Sequence, residues 1–263
     1  MSSKTSNIGI QIWLERTLAA LFLGGQVVIH LLQGKIHRQN TTEQMAIVGP
    51  DSIVIALVTA AFVGMVFTIQ VAREFLNFGA VQAVGGVLAL ALSRELAPVL
   101  TAVVLAARVG SAFAAEIGTM KVTEQIDALY VLKSDPIDYL VIPRLIACCA
   151  MLPILTIISL VMGLVGGVFV AELFYGISQA TFIESINTFL QLWDLVSALI
   201  KAVIFGSIIA IIGCNWGLTT TGGAKGVGES TTTAVVMALI SIFVTNFFLS
   251  WIMFQGLGRQ FLN

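Results

Sequence analysis

The feature that most constrains this chain is a series of apolar runs, each long enough to cross a bilayer. A helical crossing needs about 20 consecutive apolar residues. Such runs cover residues 52–72, 82–107, 140–171, 195–216 and 231–254. Because lipid offers no hydrogen-bond partners, these runs must satisfy their own backbone groups as helices. The sequence therefore predicts an all-α polytopic membrane protein with about five transmembrane helices.

The balance of charged and apolar residues supports the same fold class. Hydrophobic residues make up 58% of the chain and charged residues only 10%, whereas a soluble domain is about one quarter charged. The net charge is −1 and no long basic run occurs, so nothing indicates a nucleic-acid partner. We predict a single domain over residues 1–263, with the transmembrane bundle at 52–254.

An earlier apolar run, residues 18–32, is short for a crossing and is interrupted by Gly24, Gly25, Gln26 and His30. This pattern is typical of a helix that lies in the membrane interface. We therefore predict an N-terminal interfacial helix region at residues 8–38. A sixth transmembrane helix is the alternative.

Lysines and arginines predict which side of the membrane each loop occupies, because they are enriched in cytoplasmic loops. Lys4, Arg16, Lys35 and Arg38 precede the first run, and the 108–144 loop is also basic. The connection 172–194 contains neither Lys nor Arg, and the first outer connection has only Arg73. The N-terminus and the 108–144 loop are therefore predicted to be cytoplasmic.

Small residues recur every four positions and permit close helix packing in a membrane. They pack either within one chain or at a seam between two copies, and the pattern does not decide between these. The stripes are Ala106, Gly110, Ala114 and Gly118; Gly163, Gly167 and Ala171; and Ala202, Gly206, Ala210 and Cys214.

Arg94 and Glu95 are adjacent charges inside the second apolar run. Ionisable residues at membrane depth are costly and usually face a cavity or a partner. Pro98 lacks an N–H, so the carbonyl of Arg94 loses its usual helical donor. These three residues predict a polar pocket within the bundle. The alternative is a structural ion pair with another helix, for which Lys201 is a candidate partner of Glu95.

The segment Thr119 to Leu132 predicts a short amphipathic helix between two transmembrane helices. At helical spacing an apolar face carries Val122, Ile126, Leu129 and Tyr130, opposite Glu124 and Asp127. Such a helix could dock in the groove of a cytoplasmic partner or lie on the membrane surface.

Motifs for catalysis or metal binding are not evident. His30 and His37 are remote in sequence from any Cys or carboxylate cluster, and Cys148, Cys149 and Cys214 lack zinc-ligand or redox spacing. The stretch Gly217 to Ser230 reads GLTTTGGAKGVGES, which predicts a flexible loop and departs from the order of a phosphate-binding loop. We therefore expect no catalytic residues, no metal and no cofactor in this chain.

The stretch 94–144 reads RELAPVLTAVVLAARVGSAFAAEIGTMKVTEQIDALYVLKSDPIDYLVIPR. It closely resembles the MlaE family of ABC-transporter permeases. The family pattern has R-E-L-x-P-V, then A-x-R-x-G-S-A-x-x-A-E-[IL]-G-x-M, then T-E-Q-[IL]-D-A-L, then D-P and P-R. The later G-A-x-G-V-G pattern also matches, at Gly223 to Gly228. With the length and helix pattern, the resemblance covers nearly the whole chain.

The resemblance implies a homodimeric permease of a lipid transporter, served by a separate cytoplasmic ATPase that binds ATP and Mg. It also implies an MCE-domain protein as partner and a glycerolipid as substrate. The membrane would be a bacterial or cyanobacterial inner membrane or a chloroplast inner envelope, with the N-terminus cytoplasmic or stromal. Arg94 and Glu95, with Pro98, would lie in the lipid pocket. The coupling helix to the ATPase would contain Val122, Glu124, Gln125, Ile126, Asp127 and Leu129.

Two other functions remain open from the residues themselves. A secondary transporter would use Glu95 to carry protons and would work without an ATPase. A structural assembly protein would only anchor partners in the membrane.

Overall fold

The computed structural model describes Arg16, residues 18–31 and residues 38–256. Within these ranges the regular elements are helices, and none is a strand. In chain order they are α1 (Leu18–Leu31), α2 (Arg38–Asn77), α3 (Val81–Val122), α4 (Gln125–Val131), α5 (Ile137–Tyr175), α6 (Gln179–Phe189), α7 (Leu192–Leu218) and α8 (Gly223–Gln255).

Five of these helices, α2, α3, α5, α7 and α8, are long and apolar enough to cross a membrane. The predicted all-α fold with five transmembrane helices is therefore confirmed. Helix α1 is apolar but shorter. The rest of the predicted interfacial region, residues 8–15, 17 and 32–37, lies outside the described residues, and its placement in the interface stays a prediction.

Two predicted loops are wrong because their residues are largely helical. Helix α3 continues from the predicted end at residue 107 to Val122, and α8 begins at Gly223 rather than at residue 231. The fall in hydropathy at 108–122 marks the end of the apolar run but not of the helix. Ala114, Ile117 and Gly118 are buried there, so packing supports the helix beyond the apolar run.

Several long helices change their winding without ending. Helix α2 has two parts, Arg38–Val48 and Pro50–Asn77, which meet at Gly49. Pro at the first position of the second part suits a helix start, where its missing N–H has no helical acceptor. Single π-helical turns, a feature that is frequent at functional sites, lie within α3 twice, at the start of α5 and at the end of α8. They lie at Leu92–Leu96, Ala106–Gly110, Ile137–Val141 and Ile252–Gly256.

The chain divides into two compact units, each assembled from three separate stretches. The first unit comprises Met1–Val48, Leu105–Cys148 and Gly206–Ser241, and the second comprises Gly49–Val104, Cys149–Phe205 and Ile242–Asn263. Each unit is described by itself below. The prediction of one permease domain over 1–263 stays a prediction.

In the second unit, α2 and α5 cross closely at glycines, which have no side chain to hold the two helices apart. A Cβ atom placed on Gly64 would lie 2.0 Å from the carbonyl oxygen of Gly163, and one on Gly166 would lie 2.6 Å from that of Ala61. Any larger residue at Gly64 would therefore force α2 and α5 apart. The stripe Gly163, Gly167 and Ala171 thus packs inside the chain, which is one of the two arrangements that the pattern allowed.

In the first unit, the other predicted stripe on α3 packs against α7. A Cβ atom on Gly213 would lie 2.9 Å from the carbonyl oxygen of Gly110, and one on Gly118 would lie 3.0 Å from the Thr220 hydroxyl. Ala106 and Ala114 are fully buried. Helix α1 belongs to this unit, and its inner face buries Ala20, Leu23 and Val27.

Helix α6 was not predicted, because the connection 172–194 looked like a plain loop. Ser178 caps the helix by accepting a hydrogen bond from the backbone N–H of Thr181 at 3.2 Å. Phe182 is buried in the core of the second unit. The Ser185 hydroxyl accepts a 2.8 Å hydrogen bond from the Gly86 N–H. Helix α6 therefore packs on the first turn of α3 as part of the fold.

Candidate functional site

An open cavity of about 580 Å³ lies beside the π-helical turn of α3 in the second unit. Helices α3 and α8 form it, and most of its lining residues are apolar or aromatic. The lining residues are Val87, Leu90, Ala91, Arg94, Glu95, Phe247, Ser250, Trp251, Phe254 and Gln255. The predicted pocket residues Arg94 and Glu95 therefore both line one cavity, whereas Pro98 is buried beside it in α3.

Glu95 forms an ion pair with Lys201 of α7, the partner that the sequence offered as a candidate. The Lys201 Nζ lies 3.0 Å from the Glu95 Oε1. The Ser250 hydroxyl donates to the same oxygen at 2.6 Å, and the Asn246 amide donates to Oε2 at 2.7 Å. Both carboxylate oxygens are therefore held, although the side chain is still 42% exposed.

Lys201 also compensates for the missing N–H of Pro98. Its Nζ donates to the backbone carbonyl of Arg94 at 2.7 Å and contacts the Ser250 hydroxyl at 2.7 Å. An unpaired carbonyl in an apolar interior is costly, and Pro98 removes the N–H that would normally bond this one. A side chain of α7 thus takes the place of a backbone donor of α3.

Arg94 pairs with a different carboxylate, that of Asp194 in the first turn of α7. The Arg94 Nε donates to the Asp194 Oδ1 at 2.7 Å, and Asp194 is fully buried. The other Asp194 oxygen accepts from the backbone N–H of Gln191 at 3.0 Å. The adjacent residues Arg94 and Glu95 therefore pair with separate partners and not with each other, as the angle between neighbours on a helix predicts.

Phe254 of α8 lies against both cations of this cluster. The guanidinium carbon of Arg94 is 4.7 Å from the ring centroid, and the Lys201 Nζ is 5.7 Å from it. Cations within about 6 Å of an aromatic centroid are attracted to the face of the ring. We call Arg94, Glu95, Asp194, Lys201, Asn246 and Ser250 the polar cluster. It can present hydrogen-bonding groups to a ligand whose apolar part lies along the cavity walls.

Sequence reasoning missed three members of the polar cluster. Asp194 lay just outside the fourth predicted crossing, where it looked like a loop residue. Asn246 and Ser250 are uncharged polar residues within the last crossing, spaced four apart. That spacing places them on one face of a helix, and this was the signal that could have found them.

The predicted coupling segment lies in the first unit and is not one helix. Helix α3 ends at Val122, Glu124 has a left-handed φ of 61°, and α4 runs only over Gln125–Val131. The prediction of a continuous helix from Thr119 to Leu132 is therefore wrong. Apolar periodicity does not reveal such a break, because a non-glycine residue rarely adopts positive φ.

Helix α4 is held by few contacts and leaves apolar side chains exposed. Ile126 is its buried residue, and Lys121 forms an ion pair with Asp127 at 3.2 Å. Glu124, Gln125 and Asp127 are exposed, while Leu129 is half-buried. Beyond them, Tyr130, Val131 and Leu132 expose 63%, 83% and 73% of their surface.

A third group of titratable residues joins α1 to the start of α5. The His30 Nδ1 and the Asp138 Oδ1 are 2.7 Å apart, and possible ligand atoms of His30, Asp135 and Asp138 lie within 4.8 Å of one another. Asp135 also accepts a 2.9 Å hydrogen bond from the Ile137 N–H. These hydrogen bonds explain why the three residues lie together: the contact between His30 and Asp138 attaches α1 to the start of α5.

Membrane-crossing helices, an open cavity lined mainly by apolar side chains and a charged cluster beside it define an integral membrane protein with an internal polar site. Comparison with known proteins is more specific. The family model described as Permease MlaE matches residues 41–252. The chain belongs to the MlaE permease family, which confirms the resemblance seen in the stretch 94–144.

Individual relatives match almost the full chain. A probable ABC transporter permease protein of Synechocystis sp. is 64% identical over 263 residues, covering 100% of both chains. The chloroplastic protein Trigalactosyldiacylglycerol 1 of Arabidopsis thaliana is 53% identical over 96% of this chain and 71% of its own length. A probable ABC transporter permease protein of Pyropia yezoensis is 48% identical over 96% of each chain.

Proposed function

We propose that this chain is the membrane-spanning permease subunit of an ABC transporter that moves phospholipid or another glycerolipid between membranes. The observation that carries the proposal is the combination of the polar cluster with a largely apolar cavity of about 580 Å³. A glycerolipid has the same two-part chemistry, with a polar head group attached to apolar chains.

The cavity divides naturally between these two parts of a lipid. Val87, Leu90 and Phe247 provide apolar surface for acyl chains, whereas Arg94 and Glu95 face the head group. Pro98 contributes indirectly, because it frees the Arg94 carbonyl that binds Lys201. Ligand pockets commonly combine apolar walls with a few placed polar groups.

A second copy of the chain would close the open side of the cavity. The most apolar window of α8 is only 17% buried, the lowest value among the five crossing helices. Phe243, Phe247 and Trp251 of α8 are each more than half exposed. In the proposed homodimer, these aromatic side chains contact the partner copy or the lipid between the copies.

A separate cytoplasmic ATPase, which binds ATP and Mg, is proposed to dock on α4 and the residues after it. The exposed apolar side chains of Tyr130, Val131 and Leu132 supply a contact surface, flanked by the acidic residues Glu124 and Asp127. ATP binding and hydrolysis can drive transport only if the two conformations of the permease bind the ATPase with different affinity. This chain would therefore be a transporter subunit and not itself an enzyme.

The proposed location follows from the relatives and from the loop charges. The relatives come from Synechocystis sp., from Arabidopsis thaliana, where the protein is chloroplastic, and from Pyropia yezoensis. These sources favour a bacterial or cyanobacterial inner membrane or a chloroplast inner envelope. Basic residues favour a cytoplasmic or stromal N-terminus. An MCE-domain protein would then receive or deliver lipid on the opposite side, where α6 lies.

Charge reversal at the coupling segment tests the link to the ATPase. Glu124→Lys together with Asp127→Lys should abolish lipid transfer by the reconstituted transporter while ATP hydrolysis continues, because the docking surface changes sign. Glu43→Lys on α2 is the control, since it reverses an exposed carboxylate outside the docking segment and outside α6. Normal lipid transfer by the double variant would contradict the proposed coupling.

Purification from the native membrane tests the function as a whole. The chain should co-purify with an ATPase, an MCE-domain protein and a bound glycerolipid. Substrate movement by the purified chain without any ATPase would support a proton-driven secondary transporter instead. Unchanged lipid movement in Arg94→Ala and Glu95→Ala variants would support a purely structural assembly role.

A further inference from the structure

An ion pair in the first unit joins the two ends of the stretch of chain that contains α4. Glu116 lies near the end of α3 at Val122, and Arg144 lies near the start of α5 at Ile137. The Arg144 Nη2 donates to the Glu116 Oε2 at 2.6 Å, and the two residues are 28 positions apart in the sequence. Two side chains thus connect the helices on either side of α4.

Arg144 binds both helices at once. Its side chain is only 5% exposed, and its Nη1 donates to the Leu140 carbonyl of its own helix at 2.9 Å. On α3 it contacts Glu116 and also Phe113, whose ring centroid lies 5.4 Å from the guanidinium carbon. Phe113 and Glu116 are three residues apart and therefore lie on one face of α3. The planar guanidinium can bind two acceptors and stack on an aromatic ring, so Arg144 fixes the spacing of α3 and α5 beside α4.

Helix α4 has few contacts of its own in the part of the chain that the structure describes. Ile126 is its buried residue, and Asp127 binds Lys121 of α3 at 3.2 Å. The helix has seven residues, and helices this short are not stable in isolation. Short connections, residues 123–124 and 132–136, attach it to α3 and α5. Its helical state and its orientation therefore depend on where the ends of α3 and α5 lie.

We propose that Arg144 and Glu116 are positioning residues for the ATPase: they hold the ends of α3 and α5 so that α4 stays folded and correctly oriented for docking. This inference rests on the proposed function, in which the ATPase docks on α4. The apparent affinity of a partner falls with the fraction of the protein that is in the binding-competent arrangement. Loss of the Arg144–Glu116 contact therefore weakens ATPase binding while the exposed residues of the docking surface stay the same.

Glu116 is the residue to substitute, because its side chain is 57% exposed whereas Arg144 is buried. Glu116→Ala removes the bond to Arg144. Glu116→Gln keeps an oxygen acceptor at the same place and removes only the charge, so it keeps the test valid if Glu116→Ala fails to fold. Glu172→Ala is the matched control, since it removes a carboxylate at the other end of α5 that accepts a 2.6 Å hydrogen bond from Gln179 of α6.

Hydrogen exchange of the full-length chain in lipid nanodiscs measures the opening of α4 without the ATPase. The α4 amides should exchange about fivefold faster in Glu116→Ala and about twofold faster in Glu116→Gln, the range expected for loss of a partly exposed ion pair. The α6 amides in the same samples should be unchanged. The Kd of the ATPase that co-purifies with the chain should rise by the same factors. Glu172→Ala should change neither the α4 exchange nor the Kd.

A pair that only stabilises the fold would give a different pattern. The midpoint of thermal unfolding would fall and exchange would rise equally in α4 and α6, but the Kd of the ATPase for the folded chain would not change. That pattern, or unchanged α4 exchange in both Glu116 variants, overturns the positioning role and leaves the proposed function standing. If the wild-type chain itself binds no ATPase, the proposed docking fails and the positioning role fails with it.

Discussion

The polar cluster and helix α4 differ in how their polar groups are satisfied. Those of the cluster bind other residues of the chain, whereas the acidic residues at α4 are exposed. In the polar cluster each charged side chain has an opposite charge from the chain itself, and Asp194 and Lys201 are fully buried. In α4 the acidic side chains are exposed, and the apolar residues that follow them are exposed as well. The charges of the polar cluster are paired within one chain. Helix α4 instead presents an exposed apolar surface of the kind that binds another protein. This contrast predicts different responses to substitution.

Removing a charge from the polar cluster should have the largest effect on stability. Lys201→Met keeps an unbranched side chain, one heavy atom shorter, but leaves Glu95 without its cation and the Arg94 carbonyl without its donor. Leaving the Arg94 carbonyl without a donor costs about 1–3 kcal/mol, and loss of the cation adds less than the roughly 3–5 kcal/mol of a fully buried pair, because Glu95 is 42% exposed. We expect a correspondingly lower midpoint in thermal unfolding of the detergent-solubilised chain.

The matched control is Lys225→Met, which removes a lysine that is 88% exposed. It should change the free energy of unfolding by less than about 0.5 kcal/mol. Equal stability of the two variants would show that the polar cluster does not hold α3, α7 and α8 together.

A buried apolar residue of α4 and an exposed apolar residue directly after α4 should behave differently. Ile126→Ala should cost roughly 2 kcal/mol or more, because Ile126 is only 2% exposed and anchors a short helix. Faster hydrogen exchange of the α4 amides would report the loss. Leu132→Ala, at a position that is 73% exposed, should leave exchange unchanged but weaken binding of the ATPase. Increased exchange in Leu132→Ala and not in Ile126→Ala would reverse this assignment.

The smallest expected effect concerns the left-handed residue that follows α4. Lys133 has a φ of 54°, a conformation that costs side-chain-bearing residues about 1–2 kcal/mol and glycine almost nothing. Lys133→Gly should therefore raise the free energy of unfolding by roughly 0.5–1 kcal/mol, after the entropy cost of glycine.

Gly176→Ala provides the converse measurement. Gly176 has a φ of 65°, and an added Cβ atom would meet nothing within 4 Å, so only the backbone conformation is tested. This substitution should lower stability by about 1 kcal/mol. A loss of stability in Lys133→Gly would mean that the lysine side chain matters more than its backbone conformation.

Much of the fold was predictable because lipid imposes a simple rule on sequence. Only long apolar helices satisfy their backbone groups in a bilayer, so the five crossings could be located from hydropathy alone. Arg94 and Glu95 were recognisable for the same reason, since charges within an apolar run need a physical explanation. Pro98 indicated a free carbonyl, and Lys201 was the available cation.

The rest depended on contacts that sequence periodicity does not encode. Asp194 binds Arg94, which lies 100 residues earlier in the sequence. Nothing in the sequence distinguishes Asn246, which binds Glu95, from any other uncharged polar residue of a crossing helix. The break at Glu124 interrupts a pattern that is otherwise helical throughout. Helix α6 depends on Ser185 and Phe182 packing against α3, which a short connection without a long apolar run does not indicate.

The bond between Lys201 and the Arg94 carbonyl joins residues 107 positions apart, and this separation matters during synthesis. Chains are made at about 5–20 residues per second, so α3 exists for roughly 5–20 s before α7 supplies Lys201 and Asp194. During that interval Arg94 and Glu95 are unpaired charges in an apolar segment, at a cost of about 2.5–3.5 kcal/mol each on insertion scales. Among the five crossing helices, the most apolar 18-residue stretch of α3 has the lowest mean hydropathy, 1.8. The polar cluster is therefore assembled only after α7 has been synthesised, and a chain truncated before α7 would leave Arg94 and Glu95 without Asp194 and Lys201.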